Sequence, residues 1–144
     1  MAEISGIAHI QLCVNDMNVS RPFYSTLLQS MGMTPVMDDS AFYYCVGGRT
    51  GVAITPAAGK HSGRRFEQGA VGLHHVCFRA KSREDVDSLY NVALQLSAKI
   101  IRAPQESNFA PGYYSALFED PDGIRIEVNF VPGKGLLADI PASA

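Results

Sequence analysis

The sequence contains neither a long apolar run nor an excess of charge of one sign, and both absences narrow its function. No apolar stretch approaches the ~20 residues of a membrane-spanning helix. The net charge is only −2 over 144 residues, which gives no reason to expect a nucleic acid or an anionic membrane surface as the main partner. Residues 1–6 lack the basic and apolar segments of a signal peptide. We therefore expect a cytoplasmic protein that acts on a small molecule.

Cysteine is also scarce, with only Cys13, Cys45 and Cys77 in the chain. These residues form neither a CxxC pair nor an even set for disulfides, so they are interpreted as reduced thiols, in keeping with the cytoplasm. Cys13 and Cys77 are predicted to be small buried apolar residues rather than nucleophiles.

The most informative feature that is present is an internal repeat. Residues 7–13 and 73–79 each set a histidine, His9 or His75, ahead of alternating apolar positions. Each run is followed by a helical pattern and then by short strand-like segments. Aligning the last segment of each half sets Glu127 against Thr55. Because a duplication determines architecture, it decides the fold prediction.

The elements predicted for each half form a βαβββ module. In the first half they are a strand at 7–14, a helix at 16–31 and strands at 33–37, 41–46 and 51–56; in the second, a strand at 72–80, a helix at 83–97 and strands at 98–103, 113–119 and 124–130. The predicted fold is α+β, a single domain of two tandem modules, with module one at 5–57, a linker at 58–70, module two at 71–131 and a C-terminal tail at 132–144.

The polar strand faces carry the candidate chemistry. Side chains two positions apart on a strand share a face, so His9 lies beside Gln11, and His75 beside Arg79. The last strand places Glu127 on its polar face. Two histidines and one carboxylate at matched positions of a duplicated chain predict a divalent-metal pocket, whereas any one of them alone is more typical of an ordinary sheet surface.

Several motifs together give the chain a resemblance to a known family. They are His9 in the opening strand, the Phe23-Tyr24 pair, the run from Gly72 to Phe78, and the run from Pro111 to Glu127 with its Asp-Pro-Asp-Gly turn. Over residues 5–132 the sequence resembles the vicinal oxygen chelate superfamily, which includes glyoxalase I, fosfomycin-resistance thiol transferases, methylmalonyl-CoA epimerases, extradiol dioxygenases and bleomycin-binding proteins. The resemblance implies an incomplete barrel of paired modules, a homodimer, and His9, His75 and Glu127 as metal ligands.

Departures from the family pattern separate its members. Thr55 stands where glyoxalase I-like enzymes and epimerases use a carboxylate as ligand and base, which weakens both assignments. Leu117 stands where ring-cleaving dioxygenases have a tyrosine, and those enzymes are usually twice as long. Thiol transferases use three protein ligands, as here, but no potassium loop or phosphonate cluster is evident. Bleomycin-binding proteins lack the metal triad.

Two functions remain open. The first is a metal-dependent enzyme (Mn, Fe, Co, Ni or Zn) that chelates two neighbouring oxygens of a small metabolite, as a lyase, isomerase or transferase. The second is a resistance protein of the bleomycin-binding type that binds or sequesters a hydrophobic or planar compound, with a ring-cleaving dioxygenase as a further alternative. The catalytic base is unassigned, and the predicted substrate-binding residues are Gln11, Tyr44, Arg79, Phe109, Tyr113, Tyr114 and Arg125. Two interpretations of Arg79 and Arg125 are equally compatible with the sequence: they bind an anionic substrate, or they neutralise carboxylates.

Overall fold

The structure is a computed structural model that describes residues 1–138. The chain forms two compact units, the first spanning Met1–Phe66 and the second beginning at Glu67. This boundary falls inside the linker predicted at 58–70. Within residues 1–138, no helix combines the length and the apolar character needed to cross a membrane.

The first unit contains one helix and one four-stranded sheet. Its elements are β1 (His9–Val14), α1 (Met17–Ser30), β2 (Thr34–Asp38), β3 (Tyr43–Gly47) and β4 (Thr50–Pro56). The strand order is β1-β4-β3-β2, with β1 and β4 parallel and the other neighbours antiparallel. Asp16 begins α1 as its N-cap by accepting a hydrogen bond from the Asn18 amide at 2.8 Å.

The second unit repeats this plan and so confirms the two tandem βαβββ modules. Its elements are β5 (Val76–Arg79), α2 (Arg83–Gln95), β6 (Lys99–Ser107), β7 (Tyr113–Glu119) and β8 (Arg125–Phe130), in the sheet order β5-β8-β7-β6. Short 3-10 helices also occur at Gly59–His61 and Gly135–Leu137. The predicted strand at 98–103 is too short, because β6 continues to Ser107 and leaves a connecting loop of only residues 108–112.

Each sheet packs its apolar face against the helix of its own unit. In the first unit the fully buried side chains include Tyr24, Leu27 and Leu28 of α1 with Val14, Cys45 and Ile54 of the strands; in the second they include Val86 of α2 with Phe118, Ile126 and Val128. Cys13 and Cys77 lie on the other faces and are exposed. Their prediction as buried apolar residues was therefore wrong, because alternation along β1 and β5 points them away from the helices.

Strand pairing corrects one step of the repeat alignment. If His9 matches His75, then Gln11 matches Cys77, since each lies two residues further along. Cys77 pairs with Glu127 in β8, whereas Gln11 pairs with Ala53 in β4. The residue equivalent to Glu127 is therefore Ala53, and the alignment with Thr55 was wrong by two residues.

The corrected residue is chemically inert. Ala53 is only 3% exposed and offers a methyl group in place of a carboxylate. Thr55 lies on the same face, two positions on, and its hydroxyl donates to the Ala41 carbonyl at 3.1 Å. The first unit therefore has no carboxylate at the position that Glu127 occupies in the second.

Candidate metal and substrate site

A cavity of about 480 Å³ opens in the second unit, on the sheet face that is turned away from α2. This volume is typical of a site for a small ligand. The residues that line the cavity come from β5 and the residue before it, from β6 and the loop after it, and from β7 and β8: His75, Cys77, Arg102, Gln105, Ser107, Phe109, Tyr113, Glu127 and Asn129.

The alternation of side chains along β8 places the Glu127 carboxylate in this cavity. Ile126 and Val128 face the core and are almost fully buried, so Glu127 and Asn129 between and beyond them must face the other way. The preceding turn fixes where β8 starts. Asp120 is 4% exposed, and its Oδ1 accepts hydrogen bonds from the amides of residues 122 and 124 at 2.9 and 2.8 Å.

Glu127 is the centre of the site, and its two oxygens have different surroundings. The Tyr113 hydroxyl donates to Oε1 at 2.6 Å, and Nη2 of Arg102 lies 3.4 Å from the same atom. Oε2 instead faces Nε2 of His75 at 3.2 Å. Because Glu127 is only 8% exposed, its oxygens depend on these protein groups rather than on bulk water.

The neighbours of His75 decide where its proton lies. Nε2 of the Gln68 amide lies 3.3 Å from Nδ1 of His74, and that atom lies 2.8 Å from Nδ1 of His75. The amide nitrogen can only donate, so Nδ1 of His74 accepts, and the proton between the two rings belongs to His75. Nε2 of His75 faces the Glu127 carboxylate, so this pair of atoms can hold either a proton or a metal ion between them.

The spacing of this pair fits a shared metal ion. Two ligands at about 2.1 Å from one ion, at octahedral or tetrahedral angles, are about 3.0–3.4 Å apart, and the observed separation is 3.2 Å. Through its other nitrogen, His75 has the outer hydrogen bond that usually orients a ligating imidazole. Among residues 1–138 no three His, Cys, Asp or Glu side chains are grouped to hold a metal. His9, exposed at the start of β1, therefore stays a predicted third ligand.

Two neighbouring groups are held in their protonated forms. Desolvation, with a smaller effect of the Glu127 carboxylate, raises the pKa of the Cys77 thiol to about 12, even though part of this side chain is exposed to the open cavity. Burial and the hydrogen bond to Glu127 raise the pKa of the Tyr113 hydroxyl. At neutral pH Cys77 therefore offers no thiolate, and Tyr113 acts as a hydrogen-bond donor.

Four of the residues selected from the sequence come together in this cavity: His75, Phe109, Tyr113 and Glu127. Tyr114 lies on the opposite face, because its hydroxyl donates to Asp87 of α2 at 2.7 Å and Arg83 covers its ring. The pocket role predicted for Tyr114 therefore does not match its position.

The other predicted substrate-binding residues lie elsewhere. Nε of Arg125 is 3.4 Å from Oε1 of Glu119, and neither Arg125 nor the exposed Arg79 lines the cavity. Gln11 and Tyr44 belong to the first unit. There Tyr44 packs over Gly51, where an added Cβ would lie 2.2 Å from the tyrosine hydroxyl oxygen.

Besides Cys77, which was predicted to be a buried apolar residue, four cavity residues were not selected from the sequence: Arg102, Gln105, Ser107 and Asn129. Asn129 shares the parity of Glu127 and was within reach of the same argument. The other three lie on β6, where the predicted strand ended at residue 103. The irregular pairing of this strand places them on the cavity face, and no sequence pattern reveals it.

Comparisons with known proteins agree with this fold. Residues 6–128 match the family model described as the glyoxalase/bleomycin resistance protein/dioxygenase superfamily. The uncharacterized protein YqjT of Bacillus subtilis (strain 168) is 30% identical over 124 residues, which are 83% of this chain and 94% of that protein. The crystal structure of a putative glyoxalase from Bacillus halodurans has a TM-score of 0.75 at 25% identity, covering 88% of this chain and 96% of that one. Lactoylglutathione lyase from Agrobacterium tumefaciens, with a TM-score of 0.64 at 23% identity over 90% of this chain and 96% of its own, shows likeness of fold alone.

Proposed function

Since the chain belongs to the glyoxalase/bleomycin resistance protein/dioxygenase superfamily, we propose that it is a divalent-metal-dependent enzyme. It acts on a small oxygenated metabolite by binding two neighbouring substrate oxygens at the metal. His75 and Glu127 hold the ion, with His9 as the proposed third ligand. The observation that carries the proposal is the approach of two atoms that can ligate a metal, Nε2 of His75 and Oε2 of Glu127, to 3.2 Å.

The residues around the pair support binding rather than a purely structural contact. The Tyr113 hydroxyl and Arg102 both engage Oε1, so Oε2 is left as the ligand atom. His74 orients the His75 ring through Nδ1. When bound, a divalent ion supplies Lewis-acid stabilisation of negative charge on a substrate oxygen. The protein's own part is to aim the two ligand atoms and to enclose the substrate between Phe109 and the sheet.

The corrected repeat alignment bears on the reaction type. In the isomerases and lyases that the chain resembles, a second carboxylate at the first-unit position equivalent to Glu127 acts as the base. Ala53 offers no carboxylate at that position, and the Cys77 thiol is protonated at neutral pH because its pKa is about 12. The proposal therefore favours group transfer, in which a second substrate supplies the nucleophile, over proton shuttling by the protein.

A binding or sequestering function is the second candidate, and one observation favours it. Phe109 is 69% exposed at the edge of the cavity, with its ring 5.3 Å from that of Tyr113 in an edge-to-face arrangement. An exposed aromatic beside a pocket suits a planar ligand. Tight binding of an aromatic compound to metal-free protein would support this candidate over the enzyme.

Cobalt substitution tests the proposed function. Metal-free protein is reconstituted with Co²⁺, and the visible absorption bands of the ion are recorded before and after addition of acetohydroxamate, a small ligand that chelates through two neighbouring oxygens. We expect stoichiometric Co²⁺ bands that shift on addition of acetohydroxamate, because a metal with three protein ligands keeps positions open.

The variant Glu127→Gln should lose the bands, whereas Glu106→Gln should keep them. Glu106 is a matched control because it is a carboxylate of strand β6 in the same sheet that pairs with Arg83 outside the cavity. Bands that persist in Glu127→Gln, or that acetohydroxamate leaves unchanged in the wild type, would contradict the proposal.

A further inference from the structure

We infer that Arg102 anchors the anionic group of the substrate, and that the substrate is a small 2-hydroxy or 2-oxo carboxylate. The carboxylate part of this inference rests on the contacts of Arg102 and Glu127 in the cavity, without a metal. The neighbouring oxygen rests on the proposed function, because only a metal at His75 and Glu127 would use it.

Strand β6 is built irregularly around this arginine. Ile100 pairs with Phe118 on the core face, but two residues later Arg102 pairs with Leu117 on the cavity face. The register of the β6–β7 pair shifts on both sides of Arg102. A bulge re-aims the side chains that follow it, and bulges are frequent beside active sites. Two irregularities that flank one charged residue place its guanidinium in the cavity.

The first unit shows that the fold does not require this charge. Its strand β2 has a register shift at the same place, between Pro35 and Met37. The equivalent rows across the two sheets are Met37–Tyr44–Ala53 and Arg102–Leu117–Glu127. The arginine and the glutamate are thus both replaced by apolar residues in the first unit. Their pairing in the second unit is explained by the cavity rather than by the sheet.

Several N–H donors of the Arg102 guanidinium have no assigned hydrogen bond among residues 1–138. Both of its contacts, with the Ser115 hydroxyl at 2.7 Å and with Oε1 of Glu127 at 3.4 Å, use Nη2. Within residues 1–138 no hydrogen bond is assigned to Nε or Nη1, which carry three of the five N–H donors of the group. Glu127 is the one carboxylate among the described residues that line the cavity. Arg102 shares this carboxylate with Tyr113 and His75 and reaches it only at 3.4 Å, so its charge is only partly compensated, which favours an anion beside it.

The distances indicate where that anion lies in the substrate. Nη2 contacts Oε1, while the ligand atom Oε2 belongs to the same carboxylate group. The anchor and the proposed metal therefore flank the two oxygens of the same carboxylate group. A substrate whose carboxylate is bonded directly to an oxygen-bearing carbon can reach both at once. Arg102 supplies one positive charge, and the neighbouring Gln105 and Ser107 are neutral, so the charge at this anchor matches a monoanion rather than a phosphate dianion.

The test compares mandelate with its neutral isostere mandelamide. Mandelate carries a carboxylate, an adjacent hydroxyl and a phenyl group to contact the exposed Phe109. Binding is measured by calorimetry on Mn²⁺-loaded and on metal-free protein, for the wild type, Arg102→Gln, Arg102→Lys and Arg83→Gln. Arg83 is a matched control, since it pairs with Glu106 and lies over Tyr114 on the other face.

We expect the wild type to prefer mandelate by at least about tenfold, the contribution of one charge-assisted hydrogen bond. Arg102→Gln should lose that preference with little effect on mandelamide, Arg102→Lys should keep part of it, and Arg83→Gln all of it. Equal affinity for both probes, equal weakening of both by Arg102→Gln, or failure of mandelate to bind either form would overturn the anchor. Arg102-dependent binding of phenylphosphonate that is tighter than that of mandelate would overturn the substrate class.

The two protein forms separate this inference from the proposed function. If the protein takes up no metal but still prefers mandelate, the result supports Arg102 as the anion anchor and contradicts the proposal of a metal-dependent enzyme. If the protein takes up metal but shows no preference between the probes, the result supports the metal-dependent enzyme and contradicts the anchor.

Discussion

At the scale of single residues, the two carboxylate oxygens of Glu127 have different partners and so different expected roles. Oε1 is occupied by the Tyr113 hydroxyl and approached by Arg102, whereas Oε2 meets only His75 among its assigned partners in residues 1–138. We propose that a carboxylate held in this way binds a metal through one oxygen in a fixed orientation. The cost of changing a residue should therefore depend on which oxygen it contacts.

Tyr113→Phe removes the donor to Oε1 and nothing else from the side chain. Because outer partners of metal ligands are typically worth a factor of about 10–100 in metal affinity, we expect a loss of that size, measured by competition with a chromophoric chelator. Tyr114→Phe deletes the same hydroxyl on the opposite face, where it contacts Asp87, and should leave the affinity unchanged. Similar losses in the two variants would show that Tyr113 has no specific role at Glu127.

The three thiols should differ in reactivity with an aromatic disulfide reagent. Only the thiolate reacts, so Cys45, which is fully buried with its thiol pKa raised by that burial, should be unreactive in the folded protein. Cys13 is exposed and should react first.

Cys77 should react slowly at pH 8 because its pKa is about 12. Below its pKa, the thiolate fraction of Cys77 rises about tenfold for each unit by which the pH increases. The labelling rate of Cys77 should rise by the same factor, for as long as the protein stays folded. Rates are assigned by mass spectrometry of the labelled peptides. A rate for Cys77 that levels off near pH 9 would contradict the raised pKa.

At the scale of elements, the turn before β8 sets the position of Glu127. Asp120→Ala removes the acceptor of two backbone amides, and loss of such buried hydrogen bonds typically costs about 1–3 kcal/mol. We expect a decrease of that size in the free energy of unfolding in urea, together with weaker metal binding because β8 starts less precisely. Asp120→Asn keeps the Oδ1 acceptor and should be affected much less. Loss of stability with unchanged metal binding would mean that the turn does not position Glu127.

Element patterns explain both what the sequence predicted and what it missed. The alternation of β8 and the apolar stripe of α2 are read directly from residue types, and they correctly place Ile126, Val128 and Val86 in the core. The alignment of Thr55 with Glu127 failed because a shift of two residues preserves strand parity, so the apolar pattern of β4 fits either register. The cavity position of Arg102 was not predicted, because an extra residue within one strand of a pair, as in the bulges of β6, leaves no signature in composition or spacing.

At the scale of the whole molecule, the two units have the same plan but different chemistry. The second unit holds the cavity with the glutamate and the arginine, and the first has alanine and methionine in the equivalent row. We expect this asymmetry to appear in metal binding: Thr55→Val in the first unit should leave the bound metal unchanged, as measured by elemental analysis. A loss of metal in that variant would assign Thr55 a role that its hydrogen bond to Ala41 does not suggest.

A homodimer remains a proposal that follows from the family resemblance. All five residues of the edge strand β2 are exposed, including Val36 at 54% and Met37 at 51%, and an exposed apolar edge strand invites pairing with another chain. We expect light scattering to give twice the mass of one chain for the wild type. Val36→Lys should shift the mass towards that of the monomer. A monomeric wild type at all concentrations would remove the proposal.

The central claim is that His75 and Glu127 bind a divalent metal ion. The most direct test is the metal content per chain of protein purified without chelators, by elemental mass spectrometry, for the wild type and Glu127→Gln. The structure predicts about one Mn, Fe, Co, Ni or Zn ion per wild-type chain and its loss in the variant. No metal in the wild type, even after incubation with each of these ions, or equal metal in both proteins, would contradict the claim.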